Sequence, residues 1–171
     1  IYGTEEAYLE SFAHYTSLIQ PGGALVTHRG LRFEERLAPG VRRYDYSRTE
    51  GDFHAENIRI GGGRIVFDLV SPIEPIRDIE LGVPVSINID NGIAACALAQ
   101  IAGVDGESIR RAMLSFAGVD RRFDFKIKTD RCVFLSDYAH HPAEIQQSIL
   151  SLREVFDGRK ICAIFQPHLY S

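Results

Sequence analysis

Thr4 and two glutamates precede Tyr8, Phe12, Tyr15 and Ile19, apolar positions that recur at helical spacing. That period predicts a helix with one apolar face. Thr4 is placed to cap it, with Glu5 and Glu6 at the positive end of the helix dipole. Pro21-Gly22-Gly23 ends it. The apolar run 24–27 predicts a short buried strand, and the charged stretch 31–37 a short helix or turn. The period then changes to alternation over residues 41–47 and 52–60. Gly61-Gly62-Gly63 follows, and 64–70 and 76–81 read as further strands. Strand patterns flanking glycines predict a hairpin, so residues 41–81 are expected to form an antiparallel sheet segment.

From Asn88 the helical period returns, with Ile93, Ala94, Ala97, Leu98 and Ile101 expected on one face. Gly103 closes that helix, Asp105 caps a second one running to Phe116, and Gly118-Val119-Asp120 reads as a linker. Beyond it the pattern predicts strands at 123–128 and 131–136, a helix at 142–156 and a strand at 160–166. A strand–helix–strand unit of this length predicts a parallel sheet. The expected fold class is α/β, divided at the linker into portions 1–118 and 119–171.

Composition narrows the function classes. With 45% hydrophobic and 25% charged residues, the 171-residue chain has an ordinary globular balance and can bury a core. Its net charge of -4 supplies no basic surplus for a phosphate backbone, so nucleic acid is not expected as a partner. No apolar run approaches the roughly 18 residues of a membrane span. Cys96, Cys132 and Cys162 are far apart and each sits in an apolar run, which predicts buried thiols in a reducing, cytoplasmic compartment. The chain opens on Ile1 without a Met or a signal peptide, and it is expected to be an internal piece of a longer protein.

Four places carry candidate chemistry. Asn88 and Asn91 share a face at the start of an alanine-rich helix. Their amides suit a purine edge, with donor and acceptor side by side, or else one Asn or Asp there simply caps the helix. Arg121-Arg122 follows the linker, where an arginine fork can reach phosphates held between two domains; the other reading is a solvated pair. Asp137, Tyr138, His140 and His141 crowd the end of an apolar strand just before Pro142 opens a helix. Ligands of open α/β sheets bind at such strand ends. The alternative is that Asp137 caps a turn and a histidine packs in the core. Adjacent histidines diverge, so no metal site is expected from them. Phe165-Gln166-Pro167-His168-Leu169-Tyr170 ends another apolar run and is expected on the same sheet edge. Phosphate-loop, dinucleotide-fingerprint and nucleophile-elbow motifs are absent from the sequence.

In this order and at these spacings, the four places resemble the second half of a Mur ligase over nearly the whole chain. Ile1-Tyr2-Gly3-Thr4 resembles the point just after the family's Asp-His-x-Asp segment, and Asn88 with Asn91 its H-N-x-x-N nucleotide motif. Phe116-x-Gly118-x-x-Arg121-Arg122-Phe123 resembles the hinge, and Asp137-Tyr138-Ala139-His140-His141-Pro142 the D-Y-[GA]-H-H-P signature. Phe165-Gln166-Pro167-His168-x-Tyr170-Ser171 resembles the segment that favours the L-alanine-adding branch. The resemblance implies the C-terminal part of a P-loop-type ATP-binding domain, followed by the start of a Rossmann-like domain. It implies peptidoglycan precursor synthesis: ATP phosphorylates the carboxylate of UDP-N-acetylmuramate, and the amine of L-alanine attacks the acyl phosphate. It further implies adenine contacts from Asn88 and Asn91 and phosphate contacts from Arg122. Asp137 would reach the ribose, and Tyr138, His140, His141, His168 and Tyr170 would lie by the substrates. Arg122, Asp137 and His140 would be the catalytic set.

The sequence departs from that pattern at Ile87, where the family usually has His. The resemblance also places the phosphate-loop Lys and the magnesium ligands before Ile1, so this stretch alone is expected to lack ligase activity. Two alternatives stand beside it. One is the family's murein-tripeptide-recycling ligase, against which the Gln-Pro-His-x-Tyr ending speaks; the other is a non-catalytic nucleotide-binding α/β module.

Overall fold

The structure is a computed structural model that describes residues 3–166. It opens with α1 (Glu5–Ser17), whose Thr4 side chain accepts a hydrogen bond from the Ala7 amide at 3.2 Å. The expected apolar stripe does not form the packed face. Ala13 and Thr16 are buried, while Tyr8, Phe12 and Tyr15 lie outward. The segment 31–38 fixes this orientation. It is irregular rather than helical, its Arg36 amide donates to Thr16 Oγ1 at 2.9 Å, and the Arg36 guanidinium grips both Glu10 oxygens.

Strands β1 (Ala24–His28) and β2 (Arg42–Tyr46) pair in parallel, Ala24 opposite Arg42. The expectation of one antiparallel segment over residues 41–81 is therefore corrected at its first strand. The stretch between β1 and β2 is long enough to return the chain to the same end of its neighbour, which a tight hairpin cannot do.

The antiparallel part is β3 (His54–Gly61), β4 (Arg64–Val70) and β5 (Ile76–Glu80), ordered as a three-stranded meander. Gly62 and Gly63 turn the hairpin at φ of 58° and 76°, the left-handed pair that a two-residue turn of this hand needs. Along β4 the pleat sends Ile65, Phe67 and Leu69 into the core. Asp68 points the other way and accepts from Asn57 Nδ2 at 2.9 Å and from the Asp78 amide at 2.8 Å. Those two partners hold left-handed φ of 49° and 57°, where the register of the flanking strands slips.

Helix α2 (Ile87–Ile101) lies on the meander through Ile89, Gly92, Ile93, Cys96, Ala97 and Gln100. The buried face is thus rotated from the expected one, and Leu98 is exposed. Counting from Ile89 at intervals of three and four reproduces the observed face. Buried Gln100 is satisfied by Ser71 Oγ and the Glu74 carbonyl, each at 2.6 Å. Helix α3 (Gly106–Ser115) is capped by Asp105, as expected, and buries Ile109.

The last part holds β6 (Asp124–Lys128) and β7 (Val133–Ser136), an antiparallel pair, and α4 (Pro142–Val155). The expected strand over 160–166 has no ladder, so the predicted parallel unit is not formed among the described residues. Its apolar run finds no paired neighbour, and Ile164 is 97% exposed. Helix α4 instead docks by its C-terminus. Val155 is fully buried in the core with Ile65, Phe67 and Ile89, and its carbonyl accepts from the Gly63 amide at 3.0 Å. Only Cys96 of the three thiols is buried; Cys132 and Cys162 are exposed, on the hairpin and beyond α4 respectively, where no second layer covers them.

Candidate functional site

The first candidate group stands at the start of α2. Ser86 occupies the cap position, but its backbone is already helical at φ -58° and ψ -35°, and its side chain makes no cap bond. Neither Asn caps the helix. The two amides form a relay instead: Asn91 Nδ2 donates to Asn88 Oδ1 at 3.3 Å, and Asn88 Nδ2 donates to the Val83 carbonyl at 3.2 Å. Asn88 is half-buried and consumed by this relay, whereas Asn91 is exposed. The relay orients Asn91 with Nδ2 inward, which leaves its carbonyl oxygen and one N–H for an outside partner.

Sequence reasoning missed what holds this turn. Arg48, on the β2–β3 loop, donates from Nη2 to Asp90 Oδ2 at 2.7 Å and to the Ser86 carbonyl at 2.6 Å. Its Nε reaches the same Asp90 oxygen at 3.2 Å. Ser86 Oγ in turn donates to Glu154 of α4. A lone arginine 42 residues away carries no local sequence signal of such a partner. Tyr46 lies close by; burial first, and then the Asp90 charge, raise its phenol above the usual value.

The second group is the linker. Gly118, Arg121 and Phe123 all have positive φ, of 93°, 61° and 46°. The Arg122 amide donates to the Val119 carbonyl at 3.0 Å, closing a tight turn that throws both arginine side chains outward. Arg122 makes no ion pair among the described residues, and nothing joins it there to the α2 amides or to Asp137.

The third group lies where β7 meets α4. Asp137 Oδ1 accepts from the Tyr138 amide at 2.9 Å, and Oδ2 from the Ser148 hydroxyl at 2.7 Å, a bond that ties the strand end to the second turn of α4. His141 is the α4 cap: its Nδ1 accepts from the Ala143 amide at 3.4 Å. The Glu144 carboxylate completes the cap by accepting from the amides of His140 and His141 at 3.2 and 3.3 Å. Those two N–H groups, and more weakly the nearby imidazoles, hold the Glu144 carboxyl below its ordinary value. The rings of His140 and Tyr138 meet edge to face at 5.2 Å. Neither histidine is a packed core residue; both are exposed. His140 and Phe165 both line an open groove of about 730 Å³ along α4. His168 and Tyr170 lie outside the described residues. No group of three His, Cys, Asp or Glu side chains among the described residues is arranged to hold a metal ion, and no described helix is long and apolar enough to cross a membrane.

This mixed α/β fold is shared with solved structures of ligases. UDP-N-acetylmuramate–alanine ligase of Thermotoga maritima superposes over 97% of this chain and 37% of its own, with a TM-score of 0.81 and 24% identity. Folylpolyglutamate synthetase of Lactobacillus casei covers 90% of this chain and 41% of its own, with a TM-score of 0.64. Over its full length the chain is similar to Mur ligases. It is 66% identical over all 171 residues to UDP-N-acetylmuramate–L-alanine ligase of Phocaeicola vulgatus, and 56% identical to that of Parabacteroides distasonis. The chain spans 37% of the length of each of these relatives. No family model matches it.

Proposed function

We propose that the chain is the adenine-side and hinge segment of an ATP-dependent ligase that joins L-alanine to UDP-N-acetylmuramate. The observation that carries this reading is the likeness, over the full chain, to relatives that bear that name. The geometry supports a division of labour. Asn91 offers an acceptor beside a donor, the complement of the adenine edge, where an exocyclic amino group adjoins a ring nitrogen. Asn88 fixes the sense of that pair through the Val83 carbonyl.

Arg122 has a guanidinium without an ionic partner among the described residues and stands on a left-handed turn, so the fork is available to phosphate oxygens. Its role is to stabilise charge on the phosphoryl group as it moves to the substrate carboxylate. Asp137 has both oxygens engaged once, and each carboxylate oxygen can accept again, which leaves room for a ribose hydroxyl. His140 and the free edge of His141, with Tyr138, His168 and Tyr170, form the proposed substrate side. Magnesium, which such phosphoryl transfer uses, is assigned no ligand among the described residues. The linker at 118–119 is the proposed boundary between two domains whose closure brings Arg122 and Asp137 to the nucleotide. A soluble nucleotide-sugar substrate and free thiols accord with a cytoplasmic setting.

The test is steady-state kinetics of the full-length protein. Arg122→Ala should lower kcat on the order of a hundredfold, the scale of losing one charge-stabilising contact, with an unchanged melting temperature. Asp137→Ala should lower turnover as well, and because it also removes the bond from Ser148 it should lower the melting temperature. Near-normal turnover in both would remove them from the catalytic set.

A further inference from the structure

Asn88 and Asn91 have a weakness that their own helix does not repair. A helix start is normally steadied by a cap side chain with extended backbone, and Ser86 has neither the conformation nor the bond. Its hydroxyl is turned instead to Glu154 on α4. What grips the turn is Arg48. One nitrogen bridges the Ser86 carbonyl, which begins the turn, and the Asp90 carboxylate, which lies between the two amides in sequence. A second nitrogen returns to Asp90. The fork therefore spans the first turn from its first residue onward and anchors it to the β2–β3 loop. That loop is itself folded on a tight turn, where a Cβ on Gly51 would stand 2.7 Å from Asp45 Oδ1.

We propose that Arg48 is a positioning residue for nucleotide binding: through Asp90 and the Ser86 carbonyl it sets the direction in which the Asn88–Asn91 relay presents its free amide edge. The inference rests on the reading of Asn91 as an adenine contact. Among the described residues Arg48 makes no hydrogen bond or ion pair with either asparagine or with the proposed catalytic groups. It is the fork that matters, because one planar guanidinium supplies both bonds from the same side. A lysine ammonium can bridge the same two acceptors but has no second nitrogen to return to Asp90. Loss of the fork lets the turn fray and lowers affinity for the nucleotide without altering the chemistry at the phosphate.

The experiment uses the full-length protein with ATP, UDP-N-acetylmuramate and L-alanine, each varied in turn. Arg48→Gln should raise the KM for ATP roughly fivefold, the equivalent of about 1 kcal/mol. Its kcat and the other two KM values should stay within about twofold, since ground-state binding alone is affected. Arg48→Lys should recover part of the loss. Asp90→Asn, isosteric and uncharged, should raise the KM for ATP by a smaller factor and serves if Arg48→Gln does not fold. An unchanged KM for ATP in both Arg48→Gln and Asp90→Asn, or an equal rise for all three substrates, would overturn the proposal. Asn91→Ala separates the two levels. If it raises the KM for ATP while the Arg48 and Asp90 variants do not, only the role of Arg48 falls; if it leaves that KM unchanged, the adenine reading and the role of Arg48 fall together.

Discussion

Single residues decide where backbone segments can cross. Gly82 is the tightest point: a Cβ there would stand 2.2 Å from the Phe116 carbonyl oxygen and 2.6 Å from that of Leu114, and its amide donates to the Met113 carbonyl at 3.0 Å. Both near atoms are backbone, so no side-chain rotation relieves the overlap. Gly82→Ala is expected to cost about 1–3 kcal/mol of stability by overpacking, read as a lower denaturant midpoint at constant slope. An unchanged midpoint would mean the α3 end is free to move away. Cys96 shows what the same core does to chemistry: burial pushes its thiol up to about 12, so it stays protonated and acts as a small packing residue. Asp68 shows the opposite case, a carboxylate that two strands need. The Asp78 amide and the Asn57 side chain hold it below its ordinary value, with a further contribution from Arg59.

At the scale of elements, the cap of α4 links the signature residues to pH. Glu144 has its carboxyl held below the ordinary 4.5 by the amides of His140 and His141. A lowered folded value means that ionised Glu144 contributes stability above the ordinary 4.5 and that this contribution disappears as pH falls through the lowered value. The protein should therefore exceed Glu144→Gln in stability at neutral pH, and the two should converge in acid, as a series of melting temperatures would reveal. A gap that persists unchanged in acid would contradict the cap assignment. The elements that local pattern specifies were legible in the sequence: the Thr4, Asp105 and Pro142 helix starts, the glycine hairpin, and the strands on either side of it. The failures came where partners are distant. Alternation over 41–47 predicts a strand but not its neighbour, and parallel pairing with β1 depends on the path of 29–41. The apolar run at 160–166 has strand composition and no ladder. The polar cluster from Asp137 to Glu144 was visible as a cluster, yet the assignment of His141 to the cap and of Ser148 to Asp137 needed the backbone. Arg48 was invisible because its partners lie about forty residues on and respond to shape, not to spacing.

At the scale of the whole molecule, the layer that carries α2 is followed by the 118–123 linker and the polar Asp137 cluster. Helix α4 closes on the first layer through Val155 in the shared core, the Gly63 amide, and Glu154 on Ser86. The turn that carries the proposed adenine contacts is thus held from two sides, by the β2–β3 loop and by the helix that begins at His141. This arrangement links the α2 amides to the helix that begins in the Asp137 cluster, while Arg121 and Arg122 stand apart from both. The claim above them all is the reaction, and it is most directly tested by ADP release from the full-length protein with ATP and UDP-N-acetylmuramate. Release should depend on L-alanine and not on murein tripeptide; dependence on the tripeptide, or release indifferent to either amine, would contradict the account.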